Sequence, residues 1–124
     1  MPITTYPNLP APGTSNYGYL NIPFVLLTAS GDILASYSGK MLYQASGDGP
    51  FTIGMVAALT EGDVVSFLNM SASDLTLDAD ADCYYADTGA VNTVVIPQYN
   101  SATALKVDGG VGYYITGTSG CTTT

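Results

Sequence analysis

The densest group of potential ligands in the chain is a run of aspartates at alternate positions, Asp78, Asp80 and Asp82, with Asp74 and Asp87 close by. Alternate residues of a strand share a face, so three carboxylates on one strand would converge, and a hard cation such as Ca²⁺ takes such oxygen ligands. An EF-hand loop does not fit. Cys83 stands at its glycine position and Gly89 at its bidentate glutamate. Two readings stand: a divalent-cation site at Asp78, Asp80 and Asp82, or a solvated acidic segment that keeps a sheet edge from aggregating.

Other chemistry is short of parts. There is no histidine, which removes the usual general base and the commonest transition-metal ligand. A Ser-His-Asp or Cys-His arrangement is therefore excluded. Gly109-Gly110-Val111-Gly112 precedes an expected strand, so it is no phosphate loop. A glycosidase needs two carboxylates and a groove, and 124 residues leave little material to shape one. The expectation is a chain that is not an enzyme and carries no cofactor.

Ten tyrosines accompany no tryptophan. The pairs Tyr84-Tyr85 and Tyr113-Tyr114 place one ring on each face of a strand. Outward rings suit sugars or protein partners, and inward rings suit the core. Cys83 and Cys121 are too few for a zinc site and too far apart for a redox pair. They are either two cytosolic thiols or a disulfide closing a loop of 37 intervening residues, worth roughly 3–4 kcal/mol.

Charge limits the partners. Ten acids oppose two bases, Lys40 and Lys106, for a net charge of −8. Such a chain is repelled by phosphate backbones and anionic membranes, so neither nucleic acid nor membrane is an expected partner. Charged residues make up 10% and hydrophobic ones 47%, a composition that argues for a packed core over disorder. No basic start or apolar run reads as an export signal, so synthesis in a cytoplasm is expected.

The elements that must position these residues are short strands. Residues 1–22 hold Pro2, Pro7, Pro10 and Pro12, which suits neither helix nor central strand. They also hold Tyr6, Leu9, Pro10, Tyr17, Tyr19 and Leu20, apolar for a linker. These six are the candidate interface residues, on an arm packed over its own domain or laid on a neighbouring subunit. Beyond it, strands are expected at Phe24–Thr28, Ile33–Tyr37, Lys40–Gln44, Phe51–Ile53, Val64–Met70, Leu75–Asp78, Val91–Ile96, Thr103–Val107 and Tyr113–Thr116. Ser30-Gly31-Asp32 reads as a hairpin turn and Ser46–Pro50 as a turn cluster. Met55–Thr60 is too short for an independent helix. The fold class is all-β: a single β-sandwich or jelly-roll-like domain over 23–118, with the extended Pro-rich N-terminal arm (1–22) and a short tail (119–124).

The run Gly62-Asp63-Val64-Val65-Ser66-Phe67-Leu68-Asn69-Met70-Ser71, followed by Leu75-Thr76-Leu77-Asp78, resembles a pattern in virion proteins of tailed bacteriophages. The closing stretch Ser101–Gly117, with its aromatic strand Tyr113-Tyr114-Ile115, is similar too, and Ser38–Gly54 fits more loosely. The resemblance spans roughly residues 38–118. It implies a β-sandwich or jelly-roll module of head-decoration (cement) proteins or fibre knobs, often a homotrimer. The implied partner is the major capsid protein, the implied place the virion surface, and no small-molecule substrate is implied. A carbohydrate- or receptor-binding knob is the alternative, and a cell-encoded filament or surface-layer subunit has similar composition.

Overall fold

A computed structural model describes residues 22–107 and 112–124, with the side chains at 80–82 outside that description. The described residues form ten strands and one short 3-10 turn at Ala35–Tyr37, with no α-helix. The strands are β1 (Phe24–Leu26), β2 (Gly31–Asp32), β3 (Met41–Gln44), β4 (Phe51–Gly54), β5 (Val64–Asn69), β6 (Leu75–Tyr85), β7 (Gly89–Ile96), β8 (Asn100–Lys106), β9 (Tyr113–Gly117) and β10 (Thr122–Thr123). The all-β expectation holds.

The strands join one curled, mixed sheet in the order β1-β3-β5-β8-β9-β6-β4-β2, with β7 and β10 continuing from the other edge of β6. Odd strands up to β5 stack in parallel, Val25 beside Leu42 beside Phe67. Even strands up to β6 do the same, Gly31 beside Ile53 beside Leu77. Parallel neighbours need a crossover between them. Here each crossover is the strand of the opposite wall, so the chain winds through three two-walled rungs. Antiparallel β8 and β9 then link β5 to β6 and join the walls.

This winding corrects the expected hairpin at Ser30-Gly31-Asp32. Gly31-Asp32 is itself a strand paired in parallel with β4, and the expected strand Ile33–Tyr37 is instead a short extended link ending in a 3-10 turn at Ala35–Tyr37. A glycine-rich turn reports a reversal of the chain but not which strand it will pair with. The tail also pairs: Thr122 and Thr123 lie opposite Val95 and Val94.

Alternation along each strand supplies the core. Leu42, Val65, Phe67, Ala104 and Ile115 from the first wall meet Ile53, Leu75, Leu77, Val94 and Ile96 from the second, all buried. Each fully buried aliphatic or aromatic side chain contributes roughly 1.5–3 kcal/mol.

One end of this core is polar. Gln44, Asn69 and Ser71 are buried yet satisfied. Asn69 Nδ2 donates to the carbonyls of Ser73 and Ile96, both at 2.8 Å, and Asn69 Oδ1 accepts from Ser71 N–H at 2.8 Å. The turn into β5 closes on Asp63, whose carboxylate accepts from Thr60 N–H at 2.8 Å. Gly62 holds φ at +92° there, where a side chain would be strained. Gly62, Asp63, Phe67, Asn69 and Ser71 are thus turn, core and polar-hub positions of this fold.

Candidate interaction surface

The six arm residues Tyr6, Leu9, Pro10, Tyr17, Tyr19 and Leu20 lie outside the described residues. The aspartate run falls only partly within them. Asp78 is exposed on β6 while Leu77 and Ala79 are buried. The ladder with β7 then shifts register between Asp78 and Cys83, so the three aspartates do not share one uninterrupted ladder. That irregularity sits where β6 exchanges one neighbour, β4, for another, β9, a usual place for a bulge. Among the described residues no three acidic or sulfur ligands gather for a metal ion.

The tyrosine pairs split as strand geometry requires. Tyr113 is buried and its hydroxyl donates to the Val56 carbonyl at 2.7 Å, while Tyr114 is exposed. Tyr84 is exposed and Tyr85 half-buried. Lys106, one of the two bases, is 1% exposed, with Nζ 5.5 Å from the Tyr113 ring centroid. Cys83 and Cys121 are not joined by a disulfide. Cys121 sits near the Tyr85 hydroxyl, and burial pushes its thiol above the ordinary range.

What the described residues do assemble is the outer face of the first wall. Three rows cross its strands. Val64, Leu105 and Tyr114 are adjacent in register on β5, β8 and β9. Phe24, Met41, Ser66, Thr103 and Thr116 form the next row, and Leu26, Tyr43, Leu68 and Ser101 the third. Phe24 and Leu26 are 58% and 55% exposed, and the Phe24 ring lies 5.8 Å from that of Tyr43. No residue of the three rows is charged. A shallow groove of about 210 Å³ runs between β8 and β9, lined by Ser101, Ala102, Thr103, Thr116, Gly117 and Thr118.

Exposed apolar side chains grouped on one face mark interaction sites more often than scattered ones do. Among the described residues β1 is an edge strand, paired with β3. Reading the sequence for turns and the arm missed this face. Its signal was present: Phe24-Val25-Leu26, Met41-Leu42-Tyr43 and Val64-Val65 are apolar at consecutive positions, so both faces of those strands are apolar.

The sequence matches no protein-family profile and no curated protein. Among the described residues no helix is long and apolar enough to cross a membrane.

Proposed function

We propose that this chain is a structural virion subunit, a head-decoration (cement) protein that binds the outer surface of a phage capsid and stabilises it. The observation that carries the reading is the uncharged, half-apolar outer face of the first wall in a protein of net charge −8. Acids elsewhere keep the molecule soluble, while this face has no charge to desolvate on contact. Its partners are the major capsid protein and further copies of itself, as a homotrimer, and it performs no catalysis. Two walls that share one core support the sandwich description. The parallel rungs distinguish it from an all-antiparallel jelly roll.

A second reading has its own support. The hydroxyl-lined groove of Ser101, Thr103, Thr116 and Thr118 lies beside exposed Tyr114, a combination of hydroxyls and a ring that suits a sugar. That is the carbohydrate- or receptor-binding knob of a phage fibre.

Gold-labelled antibody against the chain, applied to particles purified from lysates of cells producing it, separates the readings. Label distributed over every capsomer is the expected result. Label confined to fibre tips would favour the knob, and unlabelled particles would sink both.

A further inference from the structure

The row Val64, Leu105, Tyr114 does not stop at β9. Tyr114 is the register partner of Tyr84 on β6, and Tyr84 in turn that of Ala90 on β7. The preceding pair, Tyr113 and Cys83, is buried. Neighbouring positions of a strand face opposite ways, so Tyr84 and Tyr114 stand together on the outer side. Both are exposed, on strands about 4.8 Å apart. An exposed tyrosine offers an apolar ring and a wet hydroxyl, and here two are offered at adjacent positions.

The groove between β8 and β9 lies next along the same strand. Thr116 follows Tyr114 on the same face and is opposite Thr103 in register. The groove hydroxyls are held in place. Thr118 Oγ1 donates to Asn100 Oδ1 at 2.7 Å and accepts from Ser101 N–H at 3.1 Å. The hydroxyls of Thr103 and Ser66 lie 3.3 Å apart. Groups fixed before binding cost little ordering when a ligand arrives. From Tyr114 to Thr118 is about 13 Å of extended chain, longer than one pyranose ring.

Charge narrows the ligand. Neither the two tyrosines nor any groove residue is charged, and the whole chain carries −8. Lys106 is buried beside Tyr113, and Lys40 precedes β3, with β5 between that strand and the groove. An acidic sugar would meet repulsion with no cation to pair it, and an amino sugar's ammonium would find no carboxylate in the lining. Rings followed by ordered hydroxyls suit a ligand with apolar C–H faces and a hydroxyl rim.

We propose that Tyr84, Tyr114 and the β8–β9 groove form one site for an uncharged oligosaccharide of at least two sugar units. One sugar stacks on the tyrosines, and the next is hydrogen-bonded by Thr103, Thr116 and Thr118. This rests on the saccharide reading of the groove and adds the ring pair, the ligand's lack of charge and its least length. The site lies on β8, β9 and β6, whereas Phe24, Leu26 and Tyr43 lie on β1 and β3. It therefore applies whether the chain sits on capsomers or at fibre tips.

A glycan array carrying neutral gluco-, manno-, galacto- and N-acetylglucosamine oligosaccharides beside sialylated and uronate ones, probed with the full-length chain, tests this. Calorimetry then compares the tightest neutral oligosaccharide with its monosaccharide. Neutral oligosaccharides alone are expected to bind, at least about tenfold tighter than the monosaccharide and equally at low and high salt. Tyr84→Ala and Tyr114→Ala should each weaken binding at least about tenfold, and Thr116→Val about fivefold. Thr52→Val, at an exposed position of β4, should change nothing. Circular dichroism checks folding, and ring-proton shifts of Tyr84 and Tyr114 on titrating the unsubstituted chain give a reading that needs no variant. Binding only of acidic glycans, a monosaccharide bound as tightly, or neutral binding that leaves both tyrosines unmoved overturns this proposal and spares the groove's saccharide reading. No glycan bound at all overturns both.

Discussion

Gln44 and Asn69 face each other at one register position of β3 and β5, both wholly buried, with Gln44 Nε2 donating to Asn69 Oδ1 at 3.0 Å. The same Gln44 amide donates to the Ser73 carbonyl at 2.9 Å, and its Oε1 accepts from Phe51 N–H at 3.0 Å. Two side chains thereby tie together β3, β4, β5, the 70–74 turn and, through Asn69 and the Ile96 carbonyl, the end of β7.

Asn69→Leu strips partners from buried backbone groups while keeping the side chain's bulk. A buried group left unsatisfied costs about 1–3 kcal/mol, and several are orphaned at once. The expected loss is about 3–5 kcal/mol in urea unfolding, against less than about 1 kcal/mol for exposed Asn92→Leu. Equal losses would show that the hub contributes nothing special.

Gly49 lies against this hub with φ at +82°, and a methyl added there would come within 2.6 Å of Gln44 Oε1. Gln44 cannot swing aside without releasing its hydrogen bonds. Gly49→Ala is therefore expected to cost about 2–3 kcal/mol, whereas Gly31→Ala, with open space around it and ordinary φ, should cost under about 1 kcal/mol. Thermal unfolding of the pair measures the difference.

Alkali should destabilise the fold. Burial raises Tyr113 and Tyr85 above the ordinary tyrosine value of 10.0, the neighbouring Cys121 adding to the shift at Tyr85. Burial raises Cys121 above 9.0. An acid whose folded pKa is raised contributes stability that is complete below its unfolded value and is lost as pH climbs through the folded one. Stability should thus be insensitive to these groups up to about pH 8 and fall from pH 9 upward. Tyr113→Phe removes one titration and the bond to Val56, costing about 1 kcal/mol at pH 7 and shallowing the alkaline limb. Urea midpoints at pH 7, 9 and 10.5 read both effects.

The thiols should be slow. Cys83 is buried, and Cys121, half-buried, has its thiolate disfavoured. At pH 7 a maleimide should label neither at the rate of a free thiol, and both should label within minutes in urea. Fast labelling of Cys121 in the native protein would contradict its surroundings.

Composition and local pattern determined much of this protein. Val64–Asn69 and Leu75–Leu77 alternate between core and outside, so their strands and inward residues were legible from side-chain period alone. So were the split of Tyr113 from Tyr114 and the absence of a histidine-based site, because these depend on residue type and neighbouring positions. Pairing was not legible. Gly31-Asp32 looked like a hairpin turn and proved to be a rung, because a turn is encoded locally whereas a strand's partner is chosen by where the whole chain can bury its faces. The hub likewise needed Gln44 and Asn69, far apart in sequence, to arrive at one register position. The candidate surface follows the same rule: Phe24, Tyr43, Leu68 and Leu105 each looked like one more apolar strand residue. Only the stacking of β1, β3, β5 and β8 turned them into a single uncharged face.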